Sequence, residues 1–108
     1  MSDFCSVTVI NHTRVRHKCA SCQQGIEIGD SAHLTVASVD GDFCSYYEHP
    51  ECRAAAHAYQ GLVANYGDEW NWLHAIDEVS DWEWLIKEHP IAAARLGAKE
   101  RIERRKAA

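Results

Sequence analysis

The sequence predicts an α+β fold in which a strand-rich first part leads into a run of helices. Residues 4–47 alternate β-forming stretches with turn signals, whereas from Cys52 onward apolar residues recur every three or four positions, the helical period. The length of 108 residues suits one core, and 46% hydrophobic with 25% charged residues is ordinary for a globular protein. Five cysteines, an odd number, argue against a closed disulfide framework and for metal ligation.

Phe4 to Ile10, rich in Val, Thr and Ile and ending at Asn11, reads as a short strand. Arg14, Arg16, His17 and Lys18 then form a basic approach to Cys19. His33 to Val39 and Phe43 to Tyr47 read as a β-hairpin turning at Asp40-Gly41. Next, Cys52, Ala55, Ala56, Tyr59, Leu62, Val63 and Tyr66 share one face of a helix that Gly67 is placed to terminate. Two short helices are expected over 68–79 and 80–88. They carry matching Trp70-x-Trp72-Leu73 and Trp82-x-Trp84-Leu85 patterns, and Ser80 with Glu83 has the form of a capping box. Pro90 suits the first turn of a final helix whose buried face would be Ile91, Ala94, Ala98 and Ile102, with Glu100 and Arg104 spaced as an i,i+4 pair. The expected organisation is a core over 1–67 and a helical segment over 68–108, packed as one domain.

The formal net charge of −5 conceals three regions. Residues 1–66 balance at −3, residues 67–90 at −6 and residues 91–108 at +4. An acidic total weakens the case for sequence-independent nucleic-acid binding, which depends on Lys and Arg neutralising phosphates. No apolar run approaches the roughly 18 residues of a membrane span, and Asp3 stands where a leader would be basic. A cytoplasmic protein without membrane contact is expected.

Cys19-Ala-Ser-Cys22 is followed, after 26 residues, by His49-Pro-Glu-Cys52. Two residues separate the ligands of each pair, so a tight turn or a first helical turn can aim both side chains at one ion. Thiolate and imidazole are the borderline-soft donors that zinc takes in tetrahedral array, and four protein ligands close the site to water. A structural Zn2+ is therefore expected on Cys19, Cys22, His49 and Cys52. Cys44, His17 and His57 lack the paired spacing, and Cys5 and Cys44 read as buried apolar thiols.

With its knuckle, hairpin and ligand-bearing helix, the stretch 19–60 resembles treble-clef zinc fingers, in particular those of the poly(ADP-ribose) polymerase type and one half of a LIM domain. The matching residues are Cys19, Cys22, Ile26-Glu-Ile-Gly-Asp30, His49 and Cys52. Small bacterial and phage proteins with a closing His-Pro-Glu-Cys look similar, which implies a host-cytoplasmic setting if the chain is phage-encoded. The polymerase-type resemblance implies nucleic-acid contacts, for which Arg14, Arg16, Lys18, Arg53 and the tail from Arg95 to Lys106 (with Arg101, Arg104 and Arg105) would meet phosphates. Treble-clef nucleases place a catalytic histidine on the hairpin. His33 sits on that hairpin here, and His57 is the other histidine a metal-dependent nuclease could use, but no second-metal ligand set accompanies them.

Trp70, Trp72, Trp82 and Trp84 lie among Asp68, Glu69, Asp77, Glu78, Asp81 and Glu83. A Trp-x-Trp pair on a helix points its rings about 200° apart, so one ring of each pair should be partly exposed. This acidic, aromatic stretch fits a surface for a basic protein, because Trp is enriched among residues that dominate interfaces. The leading expectation is a non-enzymatic, zinc-stabilised module acting through protein–protein contacts, such as a phage or bacterial regulator or inhibitor. A nucleic-acid-binding finger is the alternative, and a metal-dependent nuclease comes last. An exposed Trp stripe would also suit a homodimer.

Overall fold

The structure, a computed structural model, describes residues 4–39, 41–63 and 71–107. It is an α+β arrangement with two small antiparallel sheets and, among the described residues, four helices. Strand β1 (Phe4–Ile10) falls where its Val and Thr content predicts. The two-residue strands β2 (His17–Lys18) and β3 (Gly25–Ile26) pair with each other and flank the first Cys pair. Strands β4 (Ala32–Val39) and β5 (Asp42–Glu48) form the expected hairpin, and Gly41 takes φ 85° at its turn, a left-handed conformation suited to glycine. β4 is the central strand, between β1 and β5.

Helix α1 (Pro50–Val63) starts at Pro50, where the missing N–H costs no hydrogen bond. Cys52, Ala55, Ala56 and Tyr59 are buried on one face, as their spacing predicts, while Leu62 lies 48% exposed. Tyr66 and Gly67, which were to complete and close this helix, lie outside the described residues, as does Trp70. In place of a helix before residue 79, the described part has a single 3-10 turn at Leu73–Ala75. The side chain of Gln60 clamps the entry to this turn: its amide donates to the Asn71 carbonyl at 2.7 Å, and its carbonyl accepts from the Asn71 N–H at 3.0 Å.

Helix α2 (Val79–Glu88) begins earlier than the capping box predicts. Its N-cap is Glu78 without a side-chain cap, and Ser80 lies inside the helix on its exposed side. The expected final helix is broken in two, α3 (Pro90–Leu96) and α4 (Ala98–Ala107). Gly97, at φ 74°, ends α3 by donating to the carbonyls of Ala93 and Ala94, and the turn rotates the buried face. Ala92, Ala93 and Leu96 are buried on α3 instead of Ile91 and Ala94, whereas Ala98 and Ile102 keep their predicted burial on α4.

The buried apolar residues form one cluster that runs from Cys19, Ile26 and Cys52 through Ala55, Ala56 and Tyr59 to Leu73, Trp82, Leu85 and Leu96. Tyr59 joins α1 to α2 by donating to Asp81 at 2.8 Å, and Arg95 of α3 pairs with Glu51 of α1 at 3.0 Å. Cys5 and Cys44 are exposed, contrary to their reading as buried thiols. The register sets them on either side of Ala37, near the hairpin end of the sheet, where Phe43 is also 70% exposed.

Candidate metal centre

The chain from β2 to β3 makes a tight knuckle. The Gln23 N–H donates to the Cys19 carbonyl at 2.9 Å, and the Cys19 N–H donates to the Gln24 carbonyl at 2.9 Å. Closing that turn puts Gln23 at φ 69°, the one non-glycine residue with positive φ among those described. The turn presents Cys19 and Cys22 on one side. At the other end of the hairpin, β5 runs directly into α1. His49 therefore precedes the helix and Cys52 lies in its first turn, three positions on and facing the same way.

The sulfurs of Cys19, Cys22 and Cys52 and a ring nitrogen of His49 all lie within 4.8 Å of one another, and all four residues are buried. Nδ1 of His49 is 3.5 Å from Cys22 Sγ and 3.7 Å from Cys52 Sγ. On the far side of the ring, Nε2 is 3.0 Å from the Gly25 carbonyl oxygen, which can only accept. Nε2 therefore carries the proton, and Nδ1 turns its lone pair toward the sulfurs, as a metal-ligating imidazole must. The backbone N–H of His49 also points at Cys19 Sγ, at 3.4 Å. The cluster could hold a metal ion.

Its electrostatics favour a cation. The Cys22 and Cys52 thiols donate to Cys19 and pull its pKa far down. The same sharing pushes Cys22 up to about 11 and Cys52 higher still, with burial adding to both. Three sulfurs this close carry one negative charge readily and resist the second and third unless a cation sits between them.

Behind the ligands lies a buried polar support that the spacing of the motif did not reveal. Glu48, 2% exposed, accepts from the hydroxyl of Ser21, which is fully buried between the knuckle cysteines, and burial raises the pKa of this carboxyl. The pair ties the knuckle to the end of β5. The Ala20 N–H donates to the Tyr47 carbonyl at 2.9 Å, and the His74 N–H donates to the Ser21 carbonyl at 3.0 Å, which fastens the knuckle to the 3-10 turn as well. A glutamate beside a ligand gives no sequence signal of burial, since Glu is ordinarily a surface residue.

The other predicted site residues are dispersed. Cys44, His17 and His57 stand outside the four-residue cluster. His33 sits opposite Glu48 in the β4–β5 register, its Nδ1 buried without a hydrogen-bond partner. Trp82 is 4% exposed and belongs to the core, so its place on a partner surface is corrected; Trp72 and Trp84 are half-buried. Trp72 meets Tyr46 edge-on at 5.4 Å, and Trp84 lies 6.1 Å from Tyr59. The two rings of 82-x-84 thus separate into one buried and one partly exposed, as helical geometry requires. Arg101, Arg104 and Arg105 line one depression and Arg16 and Lys18 another, while Arg14 lines neither.

No family model, curated protein or solved structure matches this chain. Among the described residues, no helix is long and apolar enough to cross a membrane.

Proposed function

We propose that this protein is a zinc-stabilised, non-enzymatic binding module whose knuckle, hairpin and ligand-bearing helix follow treble-clef order. The observation that carries the reading is the convergence of four buried donor atoms within 4.8 Å. Zinc–sulfur bonds of about 2.3 Å and zinc–nitrogen bonds of about 2.0–2.1 Å imply a nitrogen-to-sulfur edge of about 3.6 Å in a tetrahedron. The two such edges formed by His49 Nδ1, 3.5 and 3.7 Å, fit that figure. Cys19, Cys22, His49 and Cys52 would hold the ion, and its charge would let all three thiols ionise. A set of four protein donors leaves no coordination position for a reacting water, which favours a structural metal over hydrolytic chemistry.

A protein-binding role for the Trp-rich acidic stretch now rests on Trp72, Trp84 and the acidic residues around them, since Trp82 is committed to the core. Native mass spectrometry of the purified chain tests the module itself. One zinc per chain is expected, and Cys52→Ser should lose it. A metal-free chain with full amide protection in α1 would overturn the reading.

A further inference from the structure

Three surface depressions share lining residues in succession from α4 to the knuckle. The first, of about 750 Å³, lies between the 3-10 turn and α4 and is lined by Arg101, Arg104 and Arg105 together with His74. Arg104 also lines the second, of about 470 Å³, which carries Arg95 and reaches Gly25 and His49 beside the knuckle. Gly25 in turn lines the third, of about 330 Å³, with Arg16, His17 and Lys18. The shared residues link the three depressions into a basic track of six cationic side chains, of which Arg16, Arg95 and Arg105 are paired with Glu27, Glu51 and Asp77, with Glu100 as a further carboxylate. Folding thus assembles the basic approach to the knuckle and the basic end of the chain, remote in sequence, on one surface of a protein whose total charge is −5.

We infer that this track binds the phosphate backbone of a single nucleic-acid strand. The inference rests on the reading of the chain as a zinc-stabilised module, because the metal-held knuckle forms one end of the track. Several features favour a polyphosphate over an acidic peptide. Five of the six cations are arginines, whose planar forks match phosphate oxygens, and they follow one another along a path instead of converging on one point. Planar rings stand at both ends, where bases can stack: His17, stacked on Tyr47 at 3.6 Å, and His74, 6.2 Å from the Trp72 ring. Among the described residues, Arg104 and Lys18 have no ion-pair or hydrogen-bond partner, so their charges are available.

Fluorescence anisotropy with a labelled single-stranded oligonucleotide tests this, using the zinc-loaded full chain and measuring the zinc content of every sample. Binding is expected at low salt, with log K falling against log salt at a slope of about −2 to −3, since three of the six cations are already ion-paired. Arg104→Ala and Lys18→Ala should each weaken binding about fivefold and flatten the slope by about 0.7. Glu100→Gln should tighten it. Arg14→Ala and Lys87→Ala, equal changes of charge off the track, should leave affinity within about twofold. Three outcomes overturn the proposal: no binding by fully zinc-loaded protein, equal losses from Arg14→Ala and Arg104→Ala, or equal competition by polyglutamate. A chain that lacks zinc and binds through the same arginines would overturn the zinc reading instead and leave the track standing.

Discussion

Residues 4–63 bury Thr13, Ser21, Thr35, Ser38, Glu48 and His49, whereas every buried side chain described in 71–107 is apolar. The first region also buries three cysteines but, among large apolar side chains, only Ile26 and Tyr59, while the second buries Leu73, Ile76, Trp82, Leu85, Leu96 and Ile102. Hydrophobic burial is proportional to apolar area removed from water, so it can account for the second region and falls short for the first. What remains for the first is directional: hydrogen bonds, and four donor atoms that could hold a cation. On the proposed reading, a metal held by the four donors would substitute for a core where small and polar side chains cannot make one, as a bound ion does in small metal-dependent domains.

The most severe way to break the contrast is to remove any metal bound at the cluster. Structural zinc contributes about 10–16 kcal/mol of apparent binding energy at neutral pH, comparable to the whole stability of a small domain. Chelation should abolish amide protection in β2, β3 and the first turns of α1, and lower it less in α2 and α4. Hydrogen exchange read by mass spectrometry separates the two. Tryptophan fluorescence gives a second view, because all four tryptophans fall within 70–84 and report on the helical region.

A smaller effect should come from the opposite side. Leu85 is fully buried in α2, and Leu85→Ala should cost about 2–5 kcal/mol in a denaturant titration while the chain still takes up one zinc. Loss of zinc stoichiometry in that variant would show that the two regions do not differ as described.

Ser21→Ala leaves the buried Glu48 carboxyl without its donor and should cost about 1–3 kcal/mol. Adding Glu48→Met should recover most of that loss, since replacing both partners by apolar groups removes the unpaired atom.

The mildest change is at the seam. Tyr59→Phe removes the hydrogen bond to Asp81 and should cost about 1 kcal/mol. Burial, then Asp81, raises the pKa of the Tyr59 phenol. Its contribution to stability is therefore complete below the ordinary tyrosine pKa of about 10 and is lost as pH rises through the higher folded value. The wild type should lose stability in that alkaline window, and Tyr59→Phe should lose less.

Much of the metal-centred region was legible because its determinants are local. Cys-x2-Cys, His-x2-Cys, a turn at Asp40-Gly41 and a three-and-four spacing from Cys52 each prescribe geometry over a few residues, and the ligand cluster, the hairpin and α1 follow. The helical region was read less well because its boundaries depend on packing between elements. The final helix breaks at Gly97, about which α3 and α4 turn to bury Leu96 and Ile102. Ser80 matched a cap, yet the helix starts before it. Cys5 and Cys44 look like core residues by type, but which part of a sheet is covered depends on what packs there. The basic track was invisible for the same reason: Arg16 and Arg104 come near one another only through depressions that share Gly25 and Arg104.

Zinc K-edge X-ray absorption on the purified protein tests the central claim most directly. The account predicts three sulfur neighbours at about 2.3 Å and one nitrogen at about 2.0–2.1 Å, with no oxygen in the first shell. A zinc site with two or fewer sulfurs, or with a coordinated water, would contradict it.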